Sequence, residues 1–176
     1  MKPHPARPEA AGPPEVPPCG PAFERHDHGR CVDGLLSRAE EVAKGRGVRL
    51  TPVRRRALEI LLEAHRALGA YEVLERLSAA GFGGQPPVAY RALDFLVEQG
   101  LAHRIRGLNA FLACTGPGRD HQAAFLICRS CGTVAETEAG RMRAELDAAA
   151  GTAGFRVERA SIEAAGLCPA CAGGAP

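Results

Sequence analysis

From residue 31 onward, apolar positions recur at the spacing of helices. Leu35, Leu36, Ala39, Val42 and Ala43 form one stripe, closed by Gly45 and Gly47. Thr51-Pro52 then opens a second helix, with a capping residue followed by a proline whose missing N–H costs nothing in the first turn. Its predicted inward stripe is Val53, Ala57, Leu61 and Ala64. A third, short helix is predicted from Ala70 to Ala80 with Tyr71, Leu74 and Leu77 inward, stopped by the glycine-rich turn Gly81 to Gly84. A fourth follows Pro86-Pro87 and ends at Gly100, with Val88, Ala92, Leu96 and Val97 toward the core and Tyr90, Arg91 and Asp94 on another face.

The period then changes. Leu101 to Arg106 and Ala110 to Cys114 read as strands joined by the hairpin residues Gly107-Leu108-Asn109. Helices followed by a hairpin have the connectivity of a winged helix-turn-helix. Beyond Gly116-Pro117-Gly118, the pattern reads strand (Ala123 to Cys128), strand (Thr133 to Thr137), helix (Ala139 to Ala150) and strand (Phe155 to Ala164). The expected class is α+β: a winged helix-turn-helix over 31–115, a hinge over 116–122, and a small α/β unit over 123–176. The first 30 residues hold eight of the 14 prolines without either periodicity, which predicts a disordered tail over 1–30.

Composition narrows the function classes. With 176 residues and 45% apolar content, the chain can bury a core. No run approaches the roughly 18 to 20 apolar residues of a membrane span, and the proline-rich start lacks the apolar stretch of a signal peptide, so a cytoplasmic location is expected. The net charge of +2 announces no strong field for nucleic acid. From residue 31 to 118 there are 12 Lys/Arg against 9 Asp/Glu, and from 119 to 176 there are 6 against 7. The small basic excess lies in the winged-helix half.

Seven cysteines are present, four of them in two Cys-x-x-Cys pairs, Cys128/Cys131 and Cys168/Cys171. In a reducing compartment such pairs point to thiolates on a metal. Each pair spans a tight turn able to place two sulfurs on one tetrahedral Zn²⁺, with Gly132 and Pro169 suited to those turns. The gap between pairs exceeds the roughly 15 to 20 residues of a simple zinc ribbon, yet a strand, helix and strand can return the chain to its start. A structural zinc on four thiolates is expected, redox-active pairs being the alternative. His4, Cys19, His26, Asp27, His28 and Cys31 near the start offer a further candidate metal cluster, although a tail tolerates such residues freely.

Four segments, VRLTPVRRRALEIL (Val48 to Leu61), PPVAYRALDFLVEQGLAHRI (Pro86 to Ile105), HQAAFLICRSCGTVAE (His121 to Glu136) and IEAAGLCPAC (Ile162 to Cys171), together resemble the zinc uptake regulator branch of the ferric uptake regulator (Fur) family. The resemblance implies a zinc-responsive repressor. It implies a homodimer joined through the second half, binding double-stranded DNA at an inverted-repeat operator and silencing zinc-uptake genes when zinc is plentiful. It also implies a regulatory zinc on His103, Cys114, His121 and Glu136, for two zinc sites per subunit. One thiolate, two imidazoles and a carboxylate suit Zn²⁺ and disfavour hard cations. Singly, each of these residues has an ordinary structural role available: surface histidine, buried cysteine or solvated glutamate.

The fourth helix is expected to enter the major groove with its N-terminal half. By resemblance Tyr90 and Arg91 contact bases, while Arg54, Arg55 and Arg56 are candidates for positioning on phosphates, or for a solvated face. Val88-Ala89 departs from the threonine and valine usual in the family. Iron- and peroxide-sensing relatives carry a dense histidine cluster before the first Cys-x-x-Cys, whereas here His121 stands alone in Gly118 to Ala124. Iron sensing is therefore the second reading. A zinc deaminase would need His-x-Glu and Pro-Cys-x-x-Cys, which neither His103 nor His121 nor either cysteine pair supplies. Four side chains on each zinc would leave no open position for catalysis. A zinc carrier has no use for a winged helix bearing Tyr90 and Arg91.

Overall fold

The computed structural model describes residues 28–64, 66–119 and 121–173. Helix α1 (His28–Gly45) precedes α2 (Pro52–Glu63), a two-residue strand β1 (Leu68–Gly69), α3 (Ala70–Ala79) and α4 (Pro86–Glu98). A hairpin of β2 (Ala102–Ile105) and β3 (Ala110–Ala113) follows. The second half runs β4 (Ala123–Cys128), β5 (Val134–Glu138), α5 (Gly140–Thr152), β6 (Ile162–Gly166) and α6 (Pro169–Ala172). The expected α+β class and winged-helix connectivity are therefore present. Because α1 begins at His28, the last three residues assigned to the tail are helical. Residues 1–27, including His4, Cys19, His26 and Asp27 of the tail cluster, lie outside the described residues.

Among the described residues, two three-stranded sheets order the molecule. The first is β1-β3-β2, all antiparallel; the second is β5-β4-β6, with β4 antiparallel to β5 and parallel to β6. Strand β3 joins the two halves. All four of its residues are buried, because Phe111 and Ala113 face the helical core while Ala110 and Leu112 face a smaller cluster with Ala67, Ile105, Phe125 and Val134. That is why Ala110 to Ala113 is continuously apolar rather than alternating. The small cluster draws on both sheets and so fixes how the hairpin sits against β4 and β5.

Several local expectations needed correction. Tyr71 is 68% exposed, since the inward positions of α3 are Ala70, Val73, Leu74 and Leu77. On α4 the inward residue of the first turn is Ala89 rather than Val88, because the helix starts at Pro86 and carries Ala89, Ala92, Leu93 and Leu96 on its buried face. Thr51 has the extended backbone of an N-cap, yet its hydroxyl caps nothing. The strand expected from Phe155 begins only at Ile162. There, α5 ends at left-handed Gly154 (φ +68), with Phe155 N–H donating to the Ala150 carbonyl (2.9 Å) and Gly154 N–H to that of Gly151 (3.0 Å). This paired arrangement terminates the helix and consumes the amide that a strand would have used.

Phe111 is 2% exposed at the centre of β3. Phe111→Ala is expected to cost about 3–5 kcal/mol, read from the urea midpoint by circular dichroism. A loss below about 1 kcal/mol would mean that β3 is not the packed joint described.

Candidate metal centres

The four paired cysteines converge. Hairpin β4–β5 turns through Cys128 to Cys131, closed by Gly132 N–H donating to the Cys128 carbonyl (2.9 Å), with Gly132 at φ +75. Strand β6 runs parallel beside β4 and delivers Cys168 at the start of α6, whose first turn carries Cys171. The four Sγ atoms lie within 4.8 Å of one another, and Cys131 and Cys168 are 3.8 Å apart. Thiolates each about 2.3 Å from a tetrahedral ion stand roughly 3.8 Å apart, so the residues fit zinc.

The thiols are prepared unevenly. Backbone N–H groups of Cys131 and Cys168 lower the Cys128 pKa to about 6, the latter lying 3.3 Å from its Sγ. Ser130 pulls Cys171 the same way, but the crowding of Cys168 and Cys131 outweighs it and pushes Cys171 up to about 11. Four thiolates this close repel one another, and a divalent cation removes the conflict.

A second cluster brings together His103 on β2, Cys114 just past β3, His121 just before β4, and Glu136 on β5. One donor atom from each lies within 4.8 Å of the others. His121 Nε2 is 2.6 Å from Glu136 Oε1 and 3.7 Å from Cys114 Sγ. His103 Nε2 is 3.2 Å from the same carboxylate oxygen, yet off the line of a hydrogen bond, which leaves it buried without a hydrogen-bond partner. A buried ring nitrogen without an aligned hydrogen bond is costly, even beside a carboxylate. Here it faces the common centre of three other donors, as a ligand nitrogen would. All four predicted residues of this set are thus assembled, two from each side of Gly116 to Gly118.

Neighbours that the sequence did not reveal orient these groups. Thr115 donates to Glu136 Oε2 through both its N–H (2.9 Å) and its hydroxyl (3.0 Å), leaving Oε1 for the centre. The Arg119 carbonyl accepts from His121 Nδ1 (3.1 Å), which directs Nε2 inward. No motif marks Thr115 or Arg119; only the loop's closure onto β5 does. Burial alone would raise the Glu136 pKa, but His103, the Thr115 N–H and His121 bring it down to about 2. Burial, with the nearby Glu136 charge, pushes Cys114 up to about 12. This site holds its cysteine as a thiol until a cation compensates the thiolate.

On α4, Tyr90 and Arg91 are exposed on the face away from the core. The arginine run already has partners within the protein. Arg55 pairs with Glu40 (2.8 Å) and with Glu59, and Arg56 with Glu59 (3.1 Å) and Glu63 (2.8 Å). Arg54 stacks 3.6 Å above the Phe95 ring and donates to the Arg49 carbonyl. These guanidinium groups tie α2 to α1 and α4, so phosphate contact would compete with bonds already made.

Among the described residues the geometry defines a winged-helix protein with two four-donor clusters that could each hold a metal ion, and comparison places it further. Residues 45–165 match the ferric uptake regulator family, and the chain belongs to that family. Within it, the likeness runs to zinc uptake regulators. The chain is 38% identical over 138 residues to the zinc uptake regulation protein of Escherichia coli (strain K12), spanning 78% of this chain and 81% of that protein. A zinc uptake regulator complexed with zinc and DNA superposes with a TM-score of 0.76 at 37% identity, over 80% of this chain and 95% of that one. Holo XcZur gives 0.74 at 36% identity, over 81% and 99%.

The two clusters should fail differently when a ligand is removed. Cys114→Ser is expected to lower bound zinc by one ion per subunit in mass spectrometry under native conditions while leaving the circular dichroism spectrum intact. Cys168→Ser is expected to lose the other ion together with the folded second half, since ligands not assembled in the unfolded chain contribute folding free energy on binding metal. Equal effects of the two substitutions on folding would contradict the division of roles.

Proposed function

We propose that this protein is a zinc-responsive repressor that acts in the cytoplasm, binding inverted-repeat operator DNA as a homodimer when zinc occupies both clusters and releasing it when the mixed cluster empties. The observation that carries the reading is the cluster of His103, Cys114, His121 and Glu136, whose donors come two from each side of Gly116 to Gly118. An ion bound there favours one relative orientation, and a ligand shifts a population only by its differential affinity for the states. The donor set is filled by four side chains, without the open position that hydrolytic zinc requires. Among the described residues no helix is long and apolar enough to cross a membrane.

Zinc at the Cys128, Cys131, Cys168 and Cys171 cluster would hold β4, β5 and α6 together permanently. Exposed Met142 and Leu146 on α5, with Phe155 after it, leave an apolar surface on the second half that a second copy would cover. Two-fold symmetry then sets two α4 helices toward successive major grooves. Tyr90 and Arg91 are assigned to base edges. Arg54, Arg55 and Arg56 are secondary candidates, available to phosphates only by exchanging the partners they already hold.

The test is a mobility-shift titration on promoter DNA, with zinc, iron(II) and manganese(II) supplied separately to protein retaining its four-thiolate zinc. Retardation is expected with zinc, and it should be abolished in Cys114→Ser. Arg91→Ala is expected to lower affinity about tenfold or more without changing the zinc requirement, one good base contact contributing about 1–3 kcal/mol. A response to iron(II) alone would move the protein to an iron-sensing role, and zinc binding with no DNA response would leave a carrier.

A further inference from the structure

Outside both metal clusters, one carboxylate crosses between the halves. Glu163 on β6 accepts the N–H of Arg106 at Oε1 and the N–H of Gly107 at Oε2, both at 2.8 Å. These two amides form the turn of the β2–β3 hairpin, 56 and 57 residues away in sequence. Ser161 Oγ donates to Oε1 (2.9 Å) and holds the carboxylate in place. The turn is shaped for this approach: a Cβ at Gly107 would lie 2.8 Å from Glu163 Oε2. Gly107 is not among the residues with positive φ, so its own backbone does not demand glycine; a side chain there would instead push the end of the Glu163 carboxylate aside. The two N–H groups outweigh burial and lower the Glu163 pKa, as expected of an anion held by amides.

We infer that Glu163 is a metal-independent latch, a positioning residue that clips the wing turn onto β6 and so sets how much zinc is needed to close the two halves. The contact spans the same division of the chain as the mixed cluster but uses none of its four ligands. It exists only when the hairpin lies against β6, so its free energy adds to that of the ion in favouring the closed arrangement. By linkage, a contact made only in the closed state raises the apparent affinity of the metal that selects that state. The small apolar cluster around Ile105 and Phe125 acts in the same direction, but it is non-directional, whereas the paired N–H bonds fix the wing's angle.

The inference builds on the proposed zinc switch, and two readouts separate them. Full-length wild type, Glu163→Ala, Gly107→Ala and the double variant, each retaining four-thiolate zinc, would be titrated with buffered zinc. Closure is followed by small-angle scattering, which needs no DNA, and repressor activity by retardation of promoter DNA. Glu163→Ala is expected to raise the zinc concentration at half-closure by roughly five- to tenfold, and Gly107→Ala to raise it by less, because the Arg106 and Ser161 bonds to Oε1 remain. The double variant should shift no further than Glu163→Ala alone, because both act on a single contact. At saturating zinc all four should reach the same compact form and the same DNA affinity, which a general loss of folding would not allow. If closure shifts as stated but DNA never responds, the latch stands and the repressor reading fails. Unchanged half-closure in both single variants, or additive shifts in the double, would overturn the latch.

Discussion

Burying a carboxylate and a cysteine side by side is unfavourable unless something offsets their charge. At the mixed cluster, Glu136 is ionised with its side chain 3% exposed, and Cys114 is a buried thiol whose ionisation that carboxylate opposes. A divalent cation with one carboxylate, one thiolate and two neutral imidazoles makes a complex of zero net charge, the form that a low-dielectric setting tolerates. The four-cysteine cluster has different arithmetic, carrying an excess of two negative charges when filled. Its surroundings supply backbone N–H groups to sulfur, notably Cys168 N–H on Cys128. One site is neutral and lies between halves; the other is anionic, donor-stabilised and local to one sheet. The first suits a reversible ion and the second a permanent one.

The remainder of the fold converts that local balance into geometry. Strand β3 faces the helical core with one side and the joint with the other, so it cannot shift without disturbing both. His103 sits on the paired strand, opposite Leu112, and Cys114 follows β3 directly. Through α4, which packs on the same core, the position of the hairpin is connected to that of Tyr90 and Arg91. Glu163 adds a directional contact at the far end of the hairpin. A metal bound at the mixed cluster, the apolar cluster and the proposed latch would therefore bear on one lever, the β2–β3 hairpin, from three places along it.

Much of this was legible from the amino-acid order. Helical periodicity located α1 to α4, and Gly107-Leu108-Asn109 marked the hairpin, with Asn109 indeed at positive φ. The paired cysteines announced their cluster by spacing alone, since a two-residue gap and a turn glycine leave few other uses. The mixed cluster was visible only through family resemblance. Its members are scattered over 34 positions and each has an ordinary structural role available. What stayed hidden depends on tertiary closure. Tyr71 looked inward because its register matched Leu74, yet Val73 occupies the core. Phe155 looked like strand because it alternates, yet its amide ends a helix. Three consecutive arginines left phosphate contact and a solvated face both open, and the glutamates on α1 and α2 that pair with two of them carry no sequence signal. Thr115 and Glu163 act through backbone amides and carry no pattern at all.

The central claim is that a single ion takes ligands from both halves of one chain. Anomalous diffraction at the zinc edge from zinc-loaded crystals tests it directly. Two peaks per subunit are expected, one among Cys128, Cys131, Cys168 and Cys171, the other within bonding distance of His103, Cys114, His121 and Glu136 together. A second peak held by residues of one half alone, or a structure bound to operator with the second cluster open and empty, would contradict the account.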